Sequence, residues 1–488
     1  MKRFAAAILV AASAAGAQTP DLGALDRYVA QAVRDWHVTG LAIAVVKGDS
    51  LVFAKGYGVR DLRKTDRIDE HTRFAVGSTT KAMTSAALGM LVDEGKLKWD
   101  DRVIDIIPEF RLADPYATRE ATIRDLLTHR TGLPGTDLMW AREPLTPAEM
   151  TRRLRFVQPS SSFRSNFEYQ NVVYAIGGLI IERVSGMPWE KFVQTRIFAP
   201  LGMNESEPLV AGIDRKPNVA TPHAPVGDSS RVTSIRTTDP VASAGSVWSS
   251  VSDMSKWMRF ILDSGRVGSK RLLSPATFTE IVTPQMRAPL ETYPALSLAK
   301  PHGFSYGLGW FIQDYQGQVV WMHTGSINGM SAIIGLLPDK RVGVYVLANL
   351  DHAELRHALM YKVFDLYAGN PTRDWSAELN ALFHPSRPAT TAQQAQASAP
   401  PSLPLERYAG TYADSAYGVV QVDHANGALR VRFRGAELGT LEAARFESFR
   451  VRTTSGEDQA ILTFVPDGVG GIASVRAFGV TFGRARSR

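Results

Sequence analysis

The sequence predicts an α/β (α+β) protein, with an antiparallel sheet built from both ends of one domain around a mostly helical middle. A small C-terminal all-β barrel or sandwich follows this domain. Three observations predict this arrangement. Strand-like runs occur early (41–59) and late (307–348), helical periodicity dominates between 79 and 262, and short β-type runs alternate with turns over 405–488.

The elements of the larger domain follow in chain order. A helical period over 25–36 precedes two strand-like runs, and the turn residues Lys47-Gly48-Asp49-Ser50 between those runs indicate a hairpin. Helices are predicted over 79–94, 122–128, 172–184, 189–197 and 252–262. Strands are predicted over 307–314, 319–323, 332–337 and 342–348, and a helix over 354–367.

Composition changes after this helix. Residues 385–404 are rich in Pro, Ala, Gln and Ser, which is typical of a linker. Strands are predicted beyond it over 419–422, 429–433, 449–453, 460–464 and 474–478. The predicted organisation is a signal peptide (1–17), a catalytic domain (18–384), a linker (385–404) and a small β domain (405–488).

The N-terminus indicates export. Lys2 and Arg3 precede an apolar stretch over 4–14, and Ala15-Gly16-Ala17 is typical of a cleavage site. We expect a periplasmic or secreted protein with no transmembrane segment after removal of the signal, because no later stretch is long and apolar enough to span a membrane. An uncleaved anchor is the alternative.

Charge and cysteine content exclude several classes of protein. The formal charge of +7 is made up of scattered basic residues, so the sequence does not indicate nucleic-acid binding. The chain has no cysteine, which excludes disulfides, thiolate catalysis and cysteine-ligated metals. No histidine motif has the spacing of a metal site, and neither a metal nor another cofactor is expected.

Ser78-Thr79-Thr80-Lys81 is the first motif with chemical potential. A serine and a lysine three positions apart lie on one face of a helix, so the amine is placed beside the hydroxyl. A serine hydroxyl becomes a useful nucleophile when a neighbouring group takes its proton. The helix begins near Ser78, so unpaired backbone N–H groups favour negative charge there.

Two further motifs follow in a definite order. Tyr169-Gln170-Asn171 precedes a predicted helix, and His323-Thr324-Gly325-Ser326 lies at the end of a predicted strand. With Ser78 and Lys81, these motifs resemble those of the serine β-lactamase and penicillin-binding-protein superfamily. The middle Tyr-x-Asn makes the sequence most similar to class C β-lactamases and to the serine D-peptidases and carboxylesterases of peptidase family S12, and His-x-Gly resembles the D-aminopeptidases, esterases and amidases of that family.

The resemblance covers roughly residues 25–368 and includes flanking segments such as Leu126-Leu127-Thr128-His129 and Tyr306-Gly307-Leu308-Gly309-Trp310. It implies a β-lactamase-like fold with a mostly helical subdomain. Tyr408-Ala409-Gly410-Thr411-Tyr412 makes the tail similar to the lipocalin-like domain of some S12 peptidases. The tail is expected to cap the active site, pair subunits into a homo-oligomer, bind an apolar ligand or only add stability, and the sequence leaves these roles open.

The resemblance implies a role for each motif residue. Ser78 attacks a carbonyl and forms an acyl-enzyme, with Lys81 and Tyr169 as proton handlers. Which of the two is the base stays open. Asn171 holds the substrate's amide carbonyl and orients Lys81. The backbone N–H groups of Ser78 and Ser326 form the oxyanion hole, and Gly325 permits close approach of the substrate.

His323 departs from the pattern of penicillin-hydrolysing relatives, which carry lysine at this position. A histidine is mostly neutral near pH 7 and is a weaker partner for a substrate carboxylate. It can still hydrogen-bond with Tyr169. If Tyr169 is the base, its phenolate character would be stabilised by Lys81, with His323 as a second candidate. The predicted function is hydrolysis of small amide or peptide substrates, with D-amino-acid peptides as the leading class. A carboxylesterase, a β-lactamase and a non-turnover penicillin-binding or ligand-binding protein are the alternatives.

Other candidate residues have simpler interpretations. His129 is interpreted as structural, and His352 and His357 as solvated side chains at a helix start. Ser305 lies in Gly303-Phe304-Ser305-Tyr306-Gly307, a G-x-S-x-G pattern, but the strand-to-helix context of a nucleophile elbow is missing there.

Overall fold

A computed structural model describes residues 20–227, 229–369, 372–384, 400–453 and 458–485. The predicted signal peptide lies outside these residues, as do residues 385–399 of the predicted linker. In the described part, the strands are β1 (Gly40–Lys47), β2 (Ser50–Gly58), β3 (Phe74–Ala75), β4 (His223–Val226), β5 (Ser229–Val232), β6 (Trp248–Ser249), β7 (Arg266–Val267), β8 (Lys270–Arg271), β9 (Met286–Arg287), β10 (Phe304–Tyr306), β11 (Phe311–Tyr315), β12 (Gln318–Ile327), β13 (Met330–Leu337), β14 (Val342–Ala348), β15 (Gly410–Asp414), β16 (Gly418–Ala425), β17 (Ala428–Phe433), β18 (Ala436–Arg445), β19 (Ser448–Arg452), β20 (Asp458–Pro466), β21 (Ile472–Ala477) and β22 (Val480–Arg484).

The helices connect and cover these strands. In the same described residues they are α1 (Leu22–Asp35), α2 (Thr80–Asp93), α3 (Val103–Ile106), α4 (Pro115–Glu120), α5 (Ile123–Leu127), α6 (Pro147–Arg153), α7 (Asn171–Ser185), α8 (Trp189–Val193), α9 (Ala199–Leu201), α10 (Ala242–Gly245), α11 (Val251–Leu262), α12 (Pro275–Val282), α13 (Leu296–Ala299), α14 (Leu355–Ala368) and α15 (Trp375–Phe383).

The main sheet joins the two ends of the larger domain, as the sequence predicts. Its order is β2-β1-β14-β13-β12-β11-β10-β9, and all the pairings are antiparallel. The predicted hairpin is present between β1 and β2. The early strand β1 pairs with the late strand β14, with Leu41 opposite Ala348.

Both faces of the sheet are covered, and β1 shows why its sequence is apolar throughout. Successive side chains of a strand point to opposite faces. Leu41, Ile43 and Val45 belong to the core shared with α1 and α14. Ala42, Ala44 and Val46 belong to the core shared with the helical region, including α11. A strand buried on both sides has no polar face to present, so the alternation of polar residues disappears.

Helix α2 runs through the centre of the helical region. Every residue from Thr80 to Leu91 is buried, and α2 packs against α7, α10 and α12. A 3₁₀ turn (Gly77–Thr79) leads into α2 and contacts β12. The position of α2 therefore places its first turn against the sheet.

The C-terminal region is a closed barrel of β15 to β22 in chain order, with β22 pairing back to β15. The structure thus decides between the barrel and the sandwich that the sequence predicts. Aromatic side chains fill its interior, and Tyr408, Tyr412, Phe449 and Phe464 have neighbouring ring centroids 5.0–5.8 Å apart. No helix within the described residues meets the length and apolarity needed to cross a membrane.

Candidate active site

Ser78 lies in the 3₁₀ turn that begins α2, and its side chain is partly exposed. The preceding Gly77 has a φ of +56°, in the left-handed region that favours glycine. A Cβ atom at Gly77 would lie 2.9 Å from the backbone nitrogen of Ser326. Glycine therefore allows the turn that carries Ser78 to lie directly against β12.

Lys81 is fully buried beneath Ser78, one helical turn along α2. Its Nζ atom lies 3.0 Å from Ser78 Oγ, and it donates to Asn171 Oδ1 (2.7 Å) and to the Ala244 carbonyl (3.0 Å). Burial lowers the pKa of Lys81 to about 7, and the charge of Asp137 acts in the opposite direction. A substantial fraction of this amine is neutral near physiological pH.

Asn171 begins α7 and lies between Lys81 and Asp137. Its Oδ1 accepts from Lys81, and its Nδ2 donates to Asp137 Oδ1 over 3.0 Å. The two contacts fix which end of the amide faces the lysine. Orientation of Lys81 by Asn171 is thus visible in the geometry, and Asp137 is a partner that the sequence analysis missed.

Tyr169 lies just before α7, and its hydroxyl interacts with that of Ser78. The Nζ of Lys81 lies 4.7 Å from the centroid of the Tyr169 ring. Burial raises the pKa of the Tyr169 phenol well above its usual value, against a smaller lowering by Ser78. The phenol therefore stays protonated near neutral pH, which disfavours the phenolate that Tyr169 would need to act as the base.

The third motif lies within β12, where it faces the 3₁₀ turn that carries Ser78. A Cβ atom at Gly325 would lie 2.0 Å from the Val76 carbonyl, so a residue with a side chain would push the strand and the turn apart. The contact places the backbone of Ser326 beside Gly77. Ser78, Lys81, Tyr169 and Asn171 are thus brought together with Gly325 and Ser326.

His323 makes its hydrogen bonds to residues outside this group. It is buried, its Nε2 pairs with the Tyr306 hydroxyl (2.9 Å), and its Nδ1 pairs with the Thr324 carbonyl (2.7 Å). Burial, followed by the charge of Lys81, lowers the pKa of His323 to about 3. The hydrogen bond to Tyr169 is therefore absent, and a neutral ring adds no positive charge that would stabilise a phenolate. Contact with substrate is not supported by these partners.

Arg356 is a second residue that sequence reasoning missed. This buried side chain of α14 donates through Nη1 to the Gly325 carbonyl (2.6 Å) and to Ser326 Oγ (2.8 Å). Its Nη2 donates to Glu354 Oε1 over 2.9 Å. The carbonyl of Gly325 and the N–H of Ser326 belong to one peptide unit, so Arg356 fixes the orientation of that N–H. No local pattern marks this arginine, because α14 also carries His357, Lys362 and Asp365.

The remaining histidines have different outcomes. His129 is buried and accepts from the Gln170 N–H (3.1 Å), with its ring 4.5 Å from that of Tyr169, which agrees with a structural role. His352 is exposed, as expected, with 72% of its side-chain surface accessible. The expectation for His357 is wrong, because this side chain is buried and lies 2.7 Å from Glu354. It lies in α14, which packs against β13 and β14.

Ser305 lies in β10, which continues through an antiparallel pairing to β11. It is not followed by a helix, so the context of a nucleophile elbow is absent, as the sequence predicts. No group of three or more His, Cys, Asp or Glu side chains with the arrangement of a metal site occurs among the described residues.

The family profile described as Beta-lactamase matches residues 25–367 of this chain. The chain belongs to the beta-lactamase family. A second profile, described as a domain of unknown function (DUF3471), matches residues 394–483 and thus includes the barrel. The sequence-based assignment to the serine β-lactamase and penicillin-binding-protein superfamily is confirmed.

Two curated relatives illustrate the range of the family. The "Unguisins hydrolase ungD" of Aspergillus violaceofuscus is 29% identical over 474 residues, which cover 88% of this chain and 82% of the relative. The "Protein flp" of Staphylococcus aureus is 24% identical over 342 residues, which cover 67% of this chain and 63% of the relative. The family and the name of the first relative support the assignment of this chain as a hydrolase.

Solved structures share the fold over nearly the whole chain. An octameric penicillin-binding protein homologue from Pyrococcus abyssi has a TM-score of 0.62 at 22% identity, with 95% of this chain and 99% of that chain covered. A structure titled "Crystal structure of SurE with D-Leu" has a TM-score of 0.56 at 21% identity, with the same coverage. At these identities the likeness establishes the fold alone.

Proposed function

We propose that this chain is an exported serine hydrolase that cleaves small amide and peptide substrates through an acyl-enzyme on Ser78. We place it with the S12-like amidases and peptidases of its family, with peptides that contain D-amino acids as the leading substrate class. The observation that carries the proposal is the geometry of the buried Lys81 amine beneath the Ser78 hydroxyl.

A neutral amine has two N–H bonds and one lone pair. The Asn171 and Ala244 oxygens accept two N–H bonds from Lys81 at 2.7 and 3.0 Å, which leaves the lone pair for the Ser78 hydroxyl at 3.0 Å. The lowered pKa of Lys81, about 7, makes this neutral form accessible at working pH. These contacts favour Lys81 over Tyr169 as the base.

Tyr169 then has a complementary task. Its phenol keeps its proton because burial raises its pKa, and its hydroxyl interacts with that of Ser78. In acylation, the Ser78 proton passes to Lys81 as the Oγ–C bond forms. Protonated Lys81 then returns this proton, through the Tyr169 hydroxyl, to the nitrogen of the leaving amine as the C–N bond breaks. Water then attacks the ester, gives its proton to Lys81, and Ser78 leaves with a proton restored.

The oxyanion of each tetrahedral intermediate is assigned to the backbone N–H groups of Ser78 and Ser326. Both belong to elements that touch each other through Gly77 and Gly325. Loss of one such donor typically costs ~10²–10³-fold in rate. Arg356 supports this arrangement because it holds the carbonyl of the peptide unit to which the Ser326 N–H belongs.

The substrate class rests on two considerations. A relative is named for hydrolysis of unguisins, and a structural neighbour is titled as a complex with D-Leu. The third motif offers a buried neutral His323 where penicillin-hydrolysing relatives have an ammonium group, so the site lacks that partner for a substrate carboxylate. These features favour amide hydrolysis over β-lactam hydrolysis.

The test begins with covalent labelling. The protein is incubated with a fluorophosphonate or with penicillin, and intact mass is followed over time. We expect one phosphonyl adduct on Ser78 and none in Ser78→Ala. Absence of an adduct on the wild-type protein would overturn the acyl-enzyme. A penicillin adduct that never clears would favour the non-turnover binding protein.

A substrate panel then separates the enzymatic alternatives. It contains p-nitroanilides of D- and L-amino acids, p-nitrophenyl esters and a chromogenic cephalosporin. We expect anilide cleavage with a preference for the D-forms, and loss of roughly 10⁶-fold in kcat for Ser78→Ala, as for other serine nucleophiles. Turnover of the esters alone would show a carboxylesterase instead of an amidase. Efficient turnover of the cephalosporin would show a β-lactamase.

Export and self-association are part of the proposal. The basic and apolar start of the chain supports export, and mass analysis of the N-terminus of protein recovered outside the cytoplasm tests for cleavage after Ala17. A homologue of the same fold is titled as an octamer, which supports a homo-oligomer here. Light scattering of the purified protein tests that state.

A further inference from the structure

The loop over residues 137–143, here named the site loop, connects the active site with the C-terminal barrel. Its first residue, Asp137, accepts from Asn171 Nδ2 (3.0 Å) and from Trp140 Nε1 (2.9 Å). Asn171 in turn accepts from Lys81. The position of this carboxylate therefore bears on the orientation of the Lys81 amine.

Arg434 of the barrel binds the backbone of the site loop. Its guanidinium donates to the carbonyls of Leu138 (3.0 Å), Met139 (3.2 Å) and Glu143. Three accepting carbonyls use the fork of donors that distinguishes arginine from lysine. One barrel side chain thus holds both ends of a seven-residue segment that begins with Asp137.

The barrel is shaped to present this arginine. Arg434 follows β17 with a φ of +49°, in the left-handed region that few non-glycine residues adopt. Its Nε donates to the Tyr417 carbonyl over 2.9 Å. A Cβ atom at Gly418 would lie 3.3 Å from Arg434 Cγ, so glycine leaves the space in which the arginine passes. The left-handed backbone at Arg434 and the absence of a side chain at Gly418 thus accompany an arginine that extends out of the barrel.

A second contact joins the same two elements. The guanidinium of Arg142, in the site loop, lies 4.4 Å from the centroid of the Phe478 ring on the barrel. The ring face attracts the cation electrostatically. The site loop is therefore held by the barrel through its backbone and through a side chain.

The interior of the barrel argues against a carrier role. Four aromatic residues of the barrel are at most 1% exposed, and their rings pack against one another: Tyr408, Tyr412, Phe449 and Phe464. An apolar ligand would have to displace these rings. The contacts with the catalytic domain are thus the better guide to the function of the barrel.

We propose that the C-terminal barrel is a working part of the active site, with Arg434 as a positioning residue that holds the site loop so that Asp137 orients Asn171 against Lys81. The proposal rests on the proposed function, because it assigns a task to Asp137 and Asn171 in preparing Lys81 as the base. It gives the barrel a role that no comparison assigns.

The electrostatics of the site provide a specific readout. The groups that face Lys81 are the Asp137 carboxylate, the phenols of Tyr169 and Tyr174, and the rings of His129 and His323. Asp137 raises the pKa of Lys81, whereas burial keeps both histidines neutral. If the site loop moves away, the pKa of Lys81 falls below its wild-type value.

The experiment compares Arg434→Gln, Asp137→Asn and the double variant with the wild-type chain. Arg432→Gln is the matched control, because Arg432 lies two residues away on β17 and pairs only within the barrel, with Asp423 at 2.6 Å. The readouts are the rate of Ser78 phosphonylation against pH and the ¹³Cε titration of Lys81 in lysine-labelled protein. Thermal unfolding verifies that each variant is folded.

We expect Arg434→Gln to slow phosphonylation roughly tenfold, within the ~10²-fold cost of a 1 Å misplacement near a reacting group. Its Lys81 titration moves to lower pH, as in Asp137→Asn, and the double variant shows no further shift. Arg434→Lys recovers part of the rate, and Arg432→Gln behaves as wild type.

A wild-type rate and titration in Arg434→Gln would overturn the proposal, as would a loss of rate without a shift of the Lys81 titration. Independent shifts that add in the double variant would overturn it too. Failure of the wild-type protein to accept a phosphonyl group would refute the proposed function instead. The Lys81 titration would still decide whether the barrel acts on the site.

Discussion

The first and third motifs each contain one buried basic side chain, and the two side chains differ in pKa and in hydrogen-bond partners. Lys81 and His323 are both shielded from water, and burial lowers the pKa of each. The pKa of Lys81 falls to about 7, within the working range of a base, whereas that of His323 falls to about 3. The same physical effect therefore brings one pKa close to neutral pH and takes the other far below it.

Hydrogen-bond partners explain the rest of the difference. Lys81 meets two acceptors and one hydroxyl, so one position on its nitrogen remains for the Ser78 proton. Both nitrogens of His323 are occupied by Tyr306 and Thr324. On the proposed mechanism, the first motif thus carries the reactive groups, and the third contributes backbone held in place by buried side chains.

Lys81→Met gives the largest effect expected from this comparison. Loss of the base lowers kcat/KM by up to about 10⁴-fold, the upper range for general base catalysis. Thermal stability does not fall, because the variant no longer buries an ionisable amine. Steady-state kinetics and a melting curve measure the two effects. Retention of activity within tenfold of wild type would remove Lys81 from the mechanism.

The pH profile provides the next largest effect. Protonation removes the lone pair of Lys81, so kcat/KM of the wild-type enzyme falls as the pH drops below about 7. One ionisation gives a tenfold loss per pH unit, or roughly 100-fold at pH 5 relative to the plateau. Measurement of kcat/KM from pH 5 to 9 locates this limb. A profile that is flat down to pH 5 would contradict the prediction.

Arg356→Gln tests the backbone side of the comparison. The variant loses the charge-assisted bonds to Gly325 and Ser326, so the oxyanion N–H is less well oriented. We expect kcat to fall by roughly tenfold to 100-fold, less than the ~10²–10³-fold cost of losing the donor itself. Arg341→Gln, which breaks an exposed pair with Asp49, is the control for a lost arginine. Equal kinetics in the two variants would rule out the orienting role.

His323→Phe gives the smallest kinetic change. We expect kcat/KM within about fivefold of wild type and an unchanged acid limb, because the neutral ring takes no part in proton transfer. Stability falls by about 1–3 kcal/mol, since the buried Tyr306 hydroxyl loses a partner. Chemical denaturation and kinetics together check both expectations. A large loss of kcat/KM with little loss of stability would restore His323 to the substrate site.

Local patterns predicted most of the catalytic domain. The apolar run of α2, the hairpin of β1 and β2, and the run over 319–323 within β12 all have strong periodicity or turn residues. Strand β18 (Ala436–Arg445) was not predicted, because its Ala, Glu and Leu residues favour a helix and only closure of the barrel makes it a strand.

The site residues divide in the same way. Ser78, Lys81, Tyr169 and Asn171 lie in motifs with a recognisable order, so the sequence could point to them. The partners of His323 depend on the tertiary placement of Tyr306, which no local pattern encodes. Asp137 and Arg356 act through contacts with residues at least 30 positions away, and single residues of that kind carry no periodic signal.

The pairing of β1 with β14 has a consequence for how the enzyme is made. Strand β1 gains its second neighbour only when β14, about 300 residues later in the chain, pairs with it. Strand β12, which carries Gly325 and Ser326, joins the same sheet through β13 and β14. Pairings so distant along the chain form slowly, because a long loop must close first. A ribosome-bound or truncated N-terminal fragment would thus hold Ser78 without the strand that carries Gly325 and Ser326, and on the proposed mechanism hydrolysis would begin only after the sheet had closed.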